Sequence, residues 1–104
     1  PGRTMNLVLI GYRGSGKSEA GRRIAERLGW ACVSTDERIA GAAGMPIAEY
    51  VAARGWDAFR DLEARIVAET AACDQTVIDT GGGAVVRPEN AARLRENAFV
   101  VWLR

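Results

Sequence analysis

The sequence predicts an α/β fold in which a parallel sheet carries helices on both faces, and three observations predict it. Four short runs, residues 6–10, 30–34, 76–79 and 98–103, are apolar without strict alternation, as expected of strands buried on both sides. Segments of helical period separate them, so each strand returns to the sheet through a crossover. A glycine-rich turn at residues 11–18 joins the first strand directly to the first helix.

Each element has its own signal. The run Asn6, Leu7, Val8, Leu9, Ile10 reads as a short buried strand. From residue 17 to 28 the apolar positions Ala20, Ile24, Ala25 and Leu28 fall at helical spacing, and Gly29 is a natural stop. After the second strand, Thr35 or Asp36 is suited to cap a helix that turns Ile39 inward. Gly44-Met45-Pro46 breaks that helix, and residues 47–53 resume helical character until Gly55. The longest helix, residues 57–72, should bury a stripe of Phe59, Leu62, Ile66 and Val67. Residues 76–79 form a third strand that runs into three glycines. Pro88 suits the first turn of a helix through Arg95, before a fourth strand at 98–103.

The whole chain constrains the partners. Its 104 residues make one domain, with Pro1-Gly2-Arg3-Thr4 read as an extension upstream of Met5. Fourteen basic and 13 acidic residues leave a formal net charge of +1, and the arginines are interspersed with acids. That pattern argues against a nucleic-acid surface. No run is apolar and long enough to span a membrane. Cys32 and Cys73 lack metal-ligand spacing, so reduced, partly buried thiols in a cytoplasmic protein are expected. The absence of histidine excludes an imidazole triad or imidazole metal ligand on this chain.

The turn at residues 11–18 reads Gly11-Tyr12-Arg13-Gly14-Ser15-Gly16-Lys17-Ser18 and fits G-x-x-x-x-G-K-[ST] at every fixed position. Glycines let backbone N–H groups turn inward, and the following helix presents its positive end to a polyphosphate. Gly14, Ser15, Gly16, Lys17 and Ser18 are therefore the expected phosphate-binding residues for ATP. Lys17 should reach the outer phosphates and the Ser18 hydroxyl should ligate Mg²⁺. A dinucleotide fingerprint is poorly matched, since Gly14 and Gly16 are followed by Glu19 where a third small residue is needed.

Three further features follow strand ends or a buried aromatic. Asp36 offers a carboxylate near the phosphates, or alternatively only a helix cap. Arg60 places a guanidinium beside Phe59, or alternatively pairs with Glu63 or Glu49 on a solvated face. Gly81, Gly82 and Gly83 let a ligand approach backbone, or alternatively form a plain turn.

Together with Pro46-Ile47-Ala48-Glu49-Tyr50, Phe59-Arg60-Asp61-Leu62-Glu63 and Thr80-Gly81-Gly82-Gly83-Ala84-Val85, these motifs resemble the shikimate kinase family from Met5 to the last residue. The resemblance implies a three-layer αβα phosphate-loop NTPase fold with a roughly parallel five-stranded sheet, of which four strands are present. It implies transfer of the ATP γ-phosphoryl group to a ring hydroxyl of shikimate, giving shikimate 3-phosphate in aromatic amino-acid biosynthesis. Asp36 would hydrogen-bond that hydroxyl and help take its proton, and Lys17 and Asp36 would be the catalytic pair. Arg60 would clamp the shikimate carboxylate, and the N–H groups of Gly81, Gly82 and Gly83 would contact the ring hydroxyls.

The sequence departs from that family in three places. Ser34 stands where an aspartate usually assists the metal, so any metal role of Ser34 would run through a bound water, and the expected Mg²⁺ affinity is lower. Asp79, after two β-branched apolar residues, is the compensating carboxylate, or alternatively a strand terminus bonding local backbone. Trp56 stands where glutamate is common, with an effect on local packing. The last residues, Val100 to Arg104, read as an inner strand, whereas the family continues with an Arg-bearing lid, a fifth strand and an adenine loop. The chain is thus expected to be part of a longer protein that is a monomer when complete. Two other functions stay open: a related kinase for another small hydroxylated metabolite, and a nucleotide-binding module without catalysis.

Overall fold

The computed structural model describes residues 5–11, 16–80, 88–96 and 98–103. Nine elements follow in the order β1 (Asn6–Gly11), α1 (Lys17–Leu28), β2 (Ala31–Ser34), α2 (Thr35–Ala43), α3 (Ile47–Arg54), α4 (Trp56–Ala71), β3 (Thr76–Asp79), α5 (Pro88–Arg95) and β4 (Ala98–Leu103). All strand pairs are parallel, in the order β2-β3-β1-β4. In the register Leu9 faces Asp79 and Ser34 faces Asp79, so β2 and β3 end level and β1 runs two residues further, to Gly11.

Alternate residues of the inner strands feed opposite layers, because successive side chains of a strand point to opposite faces. Leu9 and Val77 pack with Ala25 of α1 on one face. Val8, Ile10 and Ile78 pack with Val67 of α4 and Leu94 of α5 on the other. Ile39, Phe59, Leu62 and Ile66 form a further cluster that fastens α2 and α3 to α4. Each fully buried aliphatic side chain contributes about 1.5–3 kcal/mol by leaving water. The layers are those of the expected αβα sandwich.

Two contacts tighten the frame. Helix α1 approaches the sheet at Gly21, where a Cβ would lie 3.1 Å from Leu9 Cδ1 and 3.6 Å from Val77 Cγ1. Buried Asn6 donates through Nδ2 to the Cys73 carbonyl at 2.7 Å and accepts from the Thr76 N–H at 3.1 Å. This one side chain closes the turn between α4 and β3 onto the start of β1.

Three local expectations need correcting. The cap of α2 is Ser34, whose Oγ accepts from the Glu37 N–H at 3.3 Å, rather than Thr35 or Asp36. Thr35 is instead fully buried, and its hydroxyl donates to the Asp79 carbonyl at 3.5 Å, tying β2 to β3. Leu28, in the last turn of α1, is 48% exposed and takes no part in the buried clusters. Cys32 is exposed rather than partly buried, since β2 is an outer strand of the sheet. Among the described residues β4 is the other outer strand, with Phe99 and Trp102 exposed. Also among them, no helix is long and apolar enough to cross a membrane.

Candidate active site

Strand β1 delivers the chain to the site edge at Gly11, and α1 restarts it at Lys17. Gly16, immediately before the helix, has φ 77 and ψ 17, a left-handed conformation that favours glycine. Its carbonyl accepts from the Ala20 N–H at 2.9 Å, which closes the first turn. The first N–H groups of a helix have no acceptor within the helix itself, the arrangement that suits an anion. Lys17 and Ser18 begin α1, and their side chains lie outside what the structure describes. Gly14 and Ser15 lie outside the described residues, as do Gly81, Gly82 and Gly83.

The other strand ends converge on the same edge. Asp79 closes β3, is 7% exposed, and sits between Leu9 of β1 and Ser34 of β2 in the register. Asp36 follows two residues after Ser34, exposed in the first turn of α2, where a carboxylate also complements the helix dipole. Thr80 carries a function that sequence reading left unassigned. Its N–H and hydroxyl both donate to the Leu9 carbonyl, at 3.2 and 2.8 Å, fixing the chain to β1 just before residue 81.

Arg60 reaches this edge from a different layer. Helix α4 leads into β3 through a short turn and so runs antiparallel to it, which brings its first turns to the end where β1, β2 and β3 stop. Arg60 lies seven residues before Val67, which packs against the middle of the sheet, or about 10 Å nearer the site edge. Its Nη1 donates to Glu63 Oε1 at 2.9 Å, with side-chain exposures of 26% and 2%. The expected alternative pairing with Glu63 is therefore real, but the pair is half-buried instead of lying on a solvated face. Among the described residues no other acceptor is bonded to this guanidinium, so one edge of the fork is anchored by Glu63.

Among the described residues no group of three or more His, Cys, Asp or Glu is gathered, which excludes an all-protein cage there. One buried carboxylate, Asp79, at the strand end level with Leu9 of β1 fits the donor needs of Mg²⁺, which keeps waters and binds through one or two carboxylates plus phosphate oxygens. Ser34 is already engaged as the α2 cap.

Comparison with known proteins agrees with this architecture. A shikimate kinase of Symbiobacterium thermophilum is 52% identical over 99 residues, covering 95% of this chain and 57% of that protein. A shikimate kinase of Nitratidesulfovibrio vulgaris is 52% identical over 97 residues, covering 93% and 55%. The solved shikimate kinase from Acinetobacter baumannii in complex with shikimate superposes with a TM-score of 0.91 at 32% identity, covering 96% of this chain and 56% of that one. The chain thus spans just over half the length of these relatives. Since the shikimate kinase family model matches residues 13–104 and the fold superposes on solved shikimate kinases, the chain belongs to the shikimate kinase family.

Proposed function

We propose that this chain forms the nucleotide-binding and acceptor-binding part of a kinase that transfers the ATP γ-phosphoryl group to a shikimate hydroxyl. What supports the reading is that β1 ends and α1 starts beside the Asp79 end of β3, with the Arg60–Glu63 pair in the first turns of the helix that leads into β3. A relative of 32% identity bound to shikimate supports the choice of acceptor.

In this reading the turn at Gly14, Ser15 and Gly16 cradles the phosphates through backbone N–H groups, and Lys17 offsets charge spreading over the transferred group. Asp36 accepts a hydrogen bond from the acceptor hydroxyl, aligns it with the γ-phosphorus, and receives its proton as the new P–O bond forms and the bond from the γ-phosphorus to the bridging oxygen breaks, ADP leaving with that electron pair. Arg60 takes the acceptor carboxylate by its planar fork, a match that lysine could not make bidentately. Backbone N–H groups of Gly81, Gly82 and Gly83 contact the ring hydroxyls. Ser18 and Asp79, with Ser34 through water, would hold Mg²⁺, which when bound neutralises phosphate charge. Orientation and electrostatics supply most of the rate in such transfers. Residues 1–104 are read as belonging to one phosphate-loop kinase domain, acting as a monomer in the cytoplasm.

The test is a panel of acceptors, including shikimate, gluconate and nucleosides, offered with Mg²⁺-ATP to the protein expressed from its whole reading frame. ADP release with shikimate, lost in Lys17→Met, is expected. Turnover with another acceptor and none with shikimate would replace the reading, and ATP binding without any turnover would indicate a non-catalytic module.

A further inference from the structure

We propose that Trp56 is a positioning residue for Arg60, holding the guanidinium by cation–ring attraction, which consumes no N–H donor and leaves donors for the acceptor carboxylate. The proposal rests on the shikimate reading above and names a residue that reading does not use.

Trp56, Phe59, Arg60 and Glu63 stand at helical spacings of three, four and seven along the first two turns of α4, so they share one face. The Arg60 guanidinium carbon lies 5.5 Å from the Trp56 ring centroid and 5.3 Å from that of Phe59. Both distances are within the range at which a ring face attracts a cation. The Trp56 and Phe59 rings meet edge to face, with centroids 5.8 Å apart and planes at 90°. Phe59 is buried in the cluster that joins α2, α3 and α4. A continuous line of contacts thus runs from the core through Phe59 to Trp56 and Arg60.

Trp56 itself is 61% exposed and cannot be explained by burial. Its ring stands within cation–ring distance of a side chain that has four rotatable bonds. A carboxylate at position 56 would hold the guanidinium through its N–H edge, the edge a bound carboxylate needs. An aromatic ring holds it without consuming a donor. Glu63 takes Nη1, and the two rings attract the guanidinium from 5.5 and 5.3 Å. Arg60 therefore loses less freedom when a carboxylate binds, which is the benefit of preorganisation.

The experiment compares Trp56→Phe, Trp56→Leu and Trp56→Ala in the protein expressed from its whole reading frame, with KM for shikimate, KM for ATP, kcat and thermal midpoint measured for each. Leu preserves apolar cover but has no ring face. The expected result is a rise of about threefold to tenfold in KM for shikimate in Leu and Ala, from loss of the ring–cation attraction. Phe should stay near the wild type, and KM for ATP, kcat and the midpoint should be little changed. Unchanged KM in Trp56→Leu, or Leu rescuing as well as Phe, overturns the role of Trp56 while shikimate turnover stands. Absence of shikimate turnover in the wild type overturns the function itself and the positioning role with it.

Discussion

Arg60 Nη1 donates to Glu63 Oε1 at 2.9 Å, and the carboxylate that receives it is only 2% exposed. An arginine expected to meet a ligand is thereby held from behind by a buried acid one turn further along α4. Glu63→Gln preserves the shape and removes the charge. It should lower stability by about 1–2 kcal/mol, less than for a fully enclosed pair because Arg60 is 26% exposed. KM for shikimate should rise at the same time. Urea unfolding and steady-state kinetics of one preparation check both, and no change in either would remove the pair from the account.

Gly21 sets how closely α1 lies on the sheet. A Cβ there would stand 3.1 Å from Leu9 Cδ1, the flexible end of a side chain, and 3.5 Å from Cys32 Sγ. Gly21→Ala gains about 1 kcal/mol of helix propensity against that tight contact and should be nearly neutral. Gly21→Val should cost about 1–3 kcal/mol by overpacking and lift the start of α1, raising KM for ATP. Thermal denaturation and ATP titration of the two variants distinguish these outcomes.

Asp79 closes β3 on the site edge at 7% exposure. If it serves the metal, Asp79→Asn shifts the Mg²⁺ dependence of turnover to concentrations about tenfold higher, with a smaller effect at saturating Mg²⁺. A Mg²⁺ titration at fixed ATP reads this directly, and an unchanged curve would leave Asp79 as a strand terminus only.

Cys32 supplies a pH dependence. Burial of its sulfur pushes the thiol above its ordinary value of 9.0, the Asp79 and Glu37 charges push the same way, and Arg22 opposes them. The folded state therefore prefers the protonated thiol. That contribution is fully present below the ordinary thiol pKa and is lost as pH rises through the higher folded value. Cys32→Ala should flatten the alkaline loss of stability above about pH 9. Iodoacetamide should also label Cys32 more slowly at about pH 8 than a free cysteine. Equal alkaline slopes in wild type and variant would count against the shift.

Most of the fold was readable because punctuation residues bound the elements. Gly29 and Gly44 end α1 and α2 in left-handed conformations, Gly55 separates α3 from α4, and Pro88 opens α5. The α4 stripe of Phe59, Leu62, Ile66 and Val67 is buried as its spacing requires. What escaped depends on packing between distant segments. Ser34, Thr35 and Asp36 are all competent caps, and only the register with Asp79 decides that Ser34 caps while Thr35 ties strands. Burial of Glu63 and Asn6 runs against their polarity and is bought by partners, Arg60 for one and the 73–76 turn for the other. The closeness of Gly21 to Leu9 is invisible in a sequence where glycine inside a helix reads only as a weakness.

In the site, the strand end at Gly11 and the helix start at Lys17 match the spacing of the motif, whereas the turn residues between them lie outside the described residues. Arg60 was legible as a candidate through resemblance, whereas its pairing stood as one of two alternatives. The aromatic cover from Trp56 was not seen, since an exposed tryptophan near a helix start carries no periodic signal.

The most direct measurement is the effect of Arg60→Ala on the two substrates of the protein expressed from its whole reading frame. The account predicts a rise of about 10- to 100-fold in KM for shikimate, from loss of a charge-assisted fork, with KM for ATP within about twofold of wild type. Equal weakening of shikimate and ATP, or an unchanged KM for shikimate, would contradict the assignment of Arg60 to the acceptor half of the site.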